Sequence, residues 1–211
     1  MLSVFHSNRV TALHDNRVTA LADIAEIRLG VAFRSRLEHD PTGNVAILQM
    51  KDIDESAGVS FAEAIRGVRP KERPEILLRE GDLVFRSRGR SNGAALVGSD
   101  VPPAILAAPL LLIRPTNVLP GFLYWFINSA PAQAQLASMA AGTSVQMISA
   151  DSLRTLQVPI PPVAAQERIA EIARLMRREE ELMTEIATRR KRLATHMLMN
   201  YAFHGAKGVL R

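Results

Sequence analysis

The residues with the clearest chemical potential are arginines. The segment Gly81–Gly93 reads GDLVFRSRGRSNG, in which an apolar stretch, Leu83–Phe85, runs into Arg86, Ser87, Arg88, Gly89, Arg90, Ser91 and Asn92. Arginines at alternate positions, with no acid between them, make an anion-binding pattern. A guanidinium fork matches a guanine edge or a phosphate, an asparagine amide matches adenine, and serine hydroxyls serve phosphate oxygens. The same composition also describes a solvated polar turn, which is the alternative. A second strip, RGVRPKER, offers Arg66, Arg69, Lys71 and Arg73 as phosphate contacts, and Lys51 follows the apolar stretch Val45–Met50. The charge is focused here. Residues 60–92 hold eight Lys/Arg against five acids, whereas residues 93–160 hold only Arg114 and Arg154 against Asp100 and Asp151. The net charge of +5 over the whole chain is weaker support for a polyanion partner than this distribution.

No constellation of catalytic type stands beside this pattern. Amino-methylation of DNA needs a glycine-rich cofactor loop and an acidic or amide residue next to Pro-Pro and an aromatic. The Pro-Pro pairs here lie in VPPA (Val101–Ala104) and IPPV (Ile160–Val163), neither with such a neighbour. A common type of magnesium nuclease carries an acid two residues before its catalytic lysine. The residues in that place before Lys51, Lys71, Lys191 and Lys207 are Gln49, Arg69, Arg189 and Gly205. His6, His14, His39, His196 and His204 show neither the HExxH spacing nor another metal-ligand cluster, so no metal or cofactor is expected. Ser87, Ser91 and Ser144 sit in no nucleophile elbow. An enzyme would need an active site assembled from distant residues.

Composition bounds the rest. The chain of 211 residues suits one good-sized domain plus an extension, and its aromatic fraction of 5% leaves the core to Leu, Ile, Val, Ala and Met. The absence of cysteine excludes disulfides and thiolate-held metals and suits a reducing cytoplasm. The start, Met1–Val10, lacks the pattern of a signal peptide. The longest apolar run, Val101–Ile113, is broken by Pro102, Pro103 and Pro109 and is too short to span a bilayer. A cytoplasmic chain with no membrane partner is expected.

The elements that must position the arginines are short. Val45–Met50, Glu75–Leu78, Asp82–Phe85, Ala94–Val97 and Leu110–Arg114 read as strands, with a tight turn at Glu80-Gly81. Pro120–Asn128 and Ala132–Ala140 read as helices, with Pro131 suited to a first turn, and Val158–Pro162 as extended. The expected fold class is α+β: a globular mixed domain followed by a long coiled-coil-type helix. Residues 1–20 form an N-terminal extension, in which NRVTALHD (Asn8–Asp15) is nearly repeated by NRVTALAD (Asn16–Asp23). The domain covers 21–162, the helix 163–200 and a tail 201–211.

The helix is the most legible element. From Val163 to about Asn200 there is no glycine or proline, and helix formers dominate. A stripe at coiled-coil spacing runs through Ile169, Ile172, Met176, Glu179, Met183, Ile186, Arg190, Leu193 and Met197, apolar but for Glu179 and Arg190. A helix this long asks for a partner helix to cover its stripe, the alternative being that it packs on its own domain. In an antiparallel pair of identical helices centred near Glu185 and Ile186, Glu179 of one chain approaches Arg190 of the other.

Taken together, these segments resemble the type I restriction–modification specificity subunits. LADIAEIRLG (Leu21–Gly30) looks like the opening of a target-recognition domain. ILQMKDID (Ile47–Asp54), LLREGDLVFRSRG (Leu77–Gly89), LLLIRP (Leu110–Pro115), FLYWFINS (Phe122–Ser129) and GTSVQMIS (Gly142–Ser149) follow in order. LQVPIPPVAAQERIAEI (Leu156–Ile172) leads into the conserved helix. The resemblance implies a protein that does no chemistry, reads double-stranded DNA and directs an adenine methyltransferase subunit, joined in complete systems by a translocating restriction subunit. Full-length members carry two recognition domains and two antiparallel helices and read a bipartite site. This sequence holds one of each and resembles a half-subunit, which implies pairing with a second copy, or with a different half-subunit, through the helix. The competing expectation is a helical scaffold whose globular domain binds protein rather than DNA.

Overall fold

The computed structural model describes residues 17–33, 37–54, 58–68, 74–89, 92–140 and 147–205. The first copy of the N-terminal repeat lies outside them. The chain divides into two compact units, Met1–Ala170 and Glu171–Arg211.

The first unit is α+β, as expected, and its centre is an antiparallel sheet. β1 is Arg17–Ala20, β2 Ala25–Leu29, β3 Val45–Leu48, β4 Ile53–Asp54, β5 Gly58–Val59, β6 Ile65–Gly67, β7 Leu83–Arg86, β8 Ala94–Leu96, β9 Ala104–Leu106, β10 Leu110–Pro115 and β11 Gln157–Ile160. The main sheet has the order β2-β10-β7-β8, with Leu111 facing Leu29 and Phe85, and Phe85 in turn facing Ala94. A three-stranded sheet, β6-β3-β9, pairs β3 with β9 in parallel, Ile47 opposite Ile105.

The run LLLI in β10 is apolar at every position because both faces of this sheet are covered. Leu111 and Ile113 join Leu83 and Phe85 beneath the helices, while Leu110 and Leu112 join Val84, Leu106 and Leu48 on the opposite side. The helical layer consists of α1 (Pro120–Ile127), α2 (Ala130–Ala140) and α3 (Ala150–Arg154). Proline fixes the first turn of α1, and Ser149 caps α3 by accepting from Ser152 N at 3.0 Å. Phe122, Leu123, Phe126 and Ile127 of α1 complete the core. Gly30 is required where the chain crosses the backbone of Ala107, since a Cβ there would meet Ala107 C at 2.7 Å.

Several expectations need correction. Arg17–Ala20, assigned above to an extension, is β1, paired antiparallel with β11 so that Arg17 faces Ile160. Glu75–Leu78 is not a strand. Pro74 opens a 3-10 turn over Pro74–Ile76, and only Leu78 N reaches a strand-like partner, Ala104 O, at 2.9 Å. The segment has apolar residues of strand type, but proline at its head removes the donor that a ladder needs.

The long helix, α4, spans Val163–His204, 42 residues and roughly 63 Å at the usual rise. It runs past Asn200 into the expected tail and ends where Gly205 adopts φ 64°, its N–H donating to Tyr201 O at 2.9 Å. Its first turns belong to the first unit. Gln166, 3% exposed, accepts from Leu119 N at 3.0 Å and donates to Pro161 O at 2.9 Å. Ile169 packs against the main core and is therefore a domain residue, not a member of the free seam.

Within the second unit the helix is exposed along its length, and intrahelical ion pairs such as Arg174–Glu171 and Arg189–Glu185 line its surface. Arg174 holds the Glu171 carboxyl below the usual carboxylate range through their hydrogen bond. Among the described residues, no helix is long and apolar enough to cross a membrane.

Candidate nucleic-acid interface

The arginine segment is the tip of the β7–β8 hairpin. Arg86 N donates to Gly93 O at 2.9 Å, so the loop proper lies between these residues. Its base is set by Gly81, which turns at φ 82°, and by Asp82, which is 2% exposed. Asp82 accepts from Arg79 N at 2.8 Å and from Arg114 Nε and Nη2 at 2.8 and 2.7 Å. This bidentate pair is of the strong, planar type. Arg114 also donates to Glu75 O and Leu77 O at 3.2 and 2.8 Å, so one guanidinium ties β10 to the turn and to the chain that follows the RGVRPKER strip. Its pairing with Asp82 raises the Arg114 pKa further above an already high value.

Both legs of the hairpin tip are clamped. On the β7 side, Ser87 Oγ donates to Pro109 O at 2.6 Å, Ser87 O accepts from Ile148 N at 2.7 Å, and Arg88 forms an antiparallel bridge with Met147. On the β8 side, the Asn128 carboxamide acts as a short piece of strand. Its Oδ1 accepts from Ala94 N at 2.9 Å, and its Nδ2 donates to Ala94 O at 2.9 Å and to Tyr124 O at 3.1 Å. Gln133 Nε2 donates to Asn92 O at 3.1 Å and to Ile127 O at 2.8 Å. Thus the junction of α1 and α2 fixes where the loop returns to the sheet.

A third segment closes on the tip. Gly89 has φ 126°, and a Cβ there would lie 3.5 Å from Met50 Cε and 3.5 Å from Arg86 Nη2. The 3-10 turn Met50–Asp52, stabilised by Asp52 Oδ2 accepting from Gln49 N at 2.8 Å, therefore packs at this end of the hairpin. That turn carries the exposed Lys51.

The structure sorts the expected binding residues. Lys51 and Arg88 are exposed and brought to the same region, and Arg86 is half-buried at the end of β7. Arg66 is exposed on β6, opposite Ala46 in the three-stranded sheet. Arg69, Lys71, Arg73, Arg90 and Ser91 lie outside the described residues. Two assignments are corrected. Ser87 is 3% exposed with its hydroxyl committed to Pro109, and so anchors the loop instead of offering a phosphate donor. Asn92 is 9% exposed; its carbonyl is held by Gln133, and its Oδ1 is buried without a hydrogen-bond partner among the described residues.

Sequence reasoning missed the clamp itself. Asn128 and Gln133 lie far along the chain in segments that read only as helix, and nothing in their spacing links them to the arginines. Among the described residues no group of His, Cys, Asp and Glu converges as a metal ion would need.

The clamp makes a prediction. Asn128→Ala leaves Ala94 N and O without their side-chain partners in a half-buried site, at a cost of about 1–3 kcal/mol. The expected result is a lower urea midpoint with an unchanged slope.

Comparison with known proteins locates this geometry. The family model for the type I restriction modification DNA specificity domain matches residues 14–188. Among curated proteins, the type I restriction enzyme MjaVIII specificity subunit of Methanocaldococcus jannaschii is 24% identical over 98 residues, which is 46% of this chain and 22% of that one. Among solved structures, the HsdS subunit from Thermoanaerobacter tengcongensis superposes with a TM-score of 0.57 at 25% identity, covering 88% of this chain and 48% of that one. A chain from work on complex assembly and conformational transition of the type I R-M system gives a TM-score of 0.64 at 24% identity, covering 89% and 48%. The type I restriction-modification S subunit from M. genitalium gives 0.57 at 17% identity, covering 92% and 49%. The last two likenesses concern the fold alone. The chain spans about half the length of these solved relatives and less than a quarter of the curated one.

Proposed function

Because the chain belongs to the type I restriction–modification DNA specificity family, we propose that it reads double-stranded DNA with the β7–β8 hairpin tip and performs no chemistry itself. The observation that carries this reading is the clamped tip. An arginine used to read bases must be held in register, since a hydrogen bond to a base edge discriminates only when its donor arrives at a fixed place. Here the loop that presents Arg88 is tied on one leg by Ser87 and Ile148 and on the other by Asn128 and Gln133. Lys51, on the adjoining turn, supplies backbone-type contact to phosphate, and Arg66 adds positive charge on β6.

In this reading the chain directs an adenine methyltransferase subunit and, in a complete system, a translocating restriction subunit. The exposed seam of α4 pairs two copies of the chain. A two-fold pair of reading domains recognises a two-part site whose halves are inverted repeats.

The test is selection from a random duplex library by the purified chain together with an adenine methyltransferase subunit of a type I system. An enriched inverted repeat with a fixed spacer is expected. Recovery of no sequence preference, with the methyltransferase bound, would remove the DNA-reading role and favour the protein-binding scaffold.

A further inference from the structure

The clamp that holds Arg88 presents a second side chain with it. Ile148 N donates to Ser87 O at 2.7 Å, and Arg88 and Met147 form the antiparallel bridge beside that bond. Side chains alternate across a strand, and residues directly opposite in an antiparallel pair share a face. Ser87 and Ile148 accordingly turn inward and are buried, Ile148 in the main core. Arg88 and Met147 turn outward together, Arg88 exposed and Met147 49% exposed. Because the hydrogen bond flanks this pair instead of joining it, the pairing is the closer antiparallel kind, with Cα atoms roughly 4.5 Å apart.

A lone exposed apolar side chain is ordinary. Met147 differs in being held. Its neighbour Ile148 is fixed in the core, and Ser149 caps α3 by accepting from Ser152 N at 3.0 Å. The same frame therefore sets the positions of an arginine and a methionine on one outward face. Phosphate oxygens offer a thioether no favourable contact. In the major groove, where an arginine fork meets guanine N7 and O6, the one apolar group on a base edge is the C5-methyl of thymine. Successive bases of a strand are about 3.4 Å apart along the axis, so side chains rooted roughly 4.5 Å apart meet neighbouring bases, not the same one.

Resting on the reading that this tip contacts DNA, we propose that Arg88 and Met147 read a two-base step as a unit. Arg88 takes a guanine, and Met147 packs on the methyl group of the thymine beside it. The unbranched, polarizable methionine side chain adapts its shape to such a contact. Met147 is thus a specificity-determining residue, and the step it selects is one that carries a methyl group in the major groove.

The experiment uses the sequence enriched by the library selection above, with the full chain and the same methyltransferase subunit, in fluorescence anisotropy. Each guanine of a half-site is replaced in turn by 7-deazaguanine, which lacks the N7 acceptor. Each thymine is replaced in turn by deoxyuridine, which lacks only the methyl group. One guanine replacement should weaken binding by the parent and leave binding by Arg88→Ala unchanged. Deoxyuridine at the thymine beside that guanine should weaken parent binding about threefold to fivefold, the worth of one buried methyl group. Met147→Ala should bind the thymine and deoxyuridine duplexes alike, and Met147→Leu should keep the preference. A half-site with no thymine beside an Arg88-dependent guanine overturns the paired reading and leaves DNA recognition standing. So does a methyl effect that persists in Met147→Ala. Equal weakening of selected and scrambled duplexes by Met147→Ala overturns it too, and marks a contact without sequence preference. A selection that enriches no sequence removes DNA reading itself, and the paired reading with it.

Discussion

Asp82→Ala should cost about 3–5 kcal/mol of unfolding free energy, the largest single-site loss expected among the polar residues of the first unit. The carboxylate is 2% exposed and accepts both branches of the Arg114 fork, so truncation strands a guanidinium in a low-dielectric site. The Arg114 side chain is 14% exposed, so water replaces the lost carboxylate only in part. For a unit of this size the loss corresponds to a fall in melting temperature of roughly 10 °C. Urea unfolding measures it, and the double variant Asp82→Leu with Arg114→Met supplies the control. Removing both charges replaces an ion pair by apolar volume, so the double variant should be far closer to the parent than either single one. If Asp82→Ala and the double variant lose the same stability, the pair is not what holds the hairpin base. Arg114 also secures Glu75 O and Leu77 O, so the Asp82→Ala variant should loosen the chain just after the Arg69–Arg73 strip and weaken DNA binding at temperatures where the protein is still folded.

Arg88→Ala and Lys51→Ala should weaken DNA binding in distinguishable ways. Arg88 sits at the clamped tip, the place that the proposed reading assigns to base contact. Its loss should cost about 1–3 kcal/mol on the selected sequence and little on a scrambled duplex. Lys51 is a flexible point charge on the neighbouring turn. Its loss should weaken both duplexes alike and reduce the slope of log affinity against log salt by about 1. Fluorescence anisotropy over a salt series reads both quantities. Equal loss on both duplexes for Arg88→Ala would make Arg88 a phosphate contact and move base readout elsewhere. Neither residue is buried, so the melting temperature should stay within a degree or two of the parent.

What was legible in the sequence follows from locality. α4 announced itself because no glycine or proline interrupts it, and β7, β8 and β10 because apolar runs and a Gly81 turn bound them closely. Lys51 and Arg88 were visible as charges next to strands. The remainder depended on distant partners. Pairing β3 in parallel with β9 joins Ala46 to Ala104, and β1 against β11 joins Arg17 to Ile160, with no local pattern to reveal either. Ser87 and Asn92 are residue types that usually face water in loops, yet both are buried here because Pro109 and Gln133, from other elements, close over them. Ile169 fits a heptad by spacing, but only tertiary structure shows that the domain core takes it first. The resemblance to specificity subunits carried the functional reading further than any one of these features could.

The clamp on the hairpin has an evolutionary consequence. Its anchors, buried Ser87 and half-buried Asn128 and Gln133, hold the loop to the rest of the unit, whereas the Arg88 and Lys51 side chains are exposed. Exchange of the exposed side chains at the tip should leave stability almost untouched, so that on the proposed reading a lineage can drift from one target sequence to another without passing through an unfolded intermediate. The same separation makes the tip a natural cassette for laboratory randomisation, with Ser87, Asn128 and Gln133 kept constant.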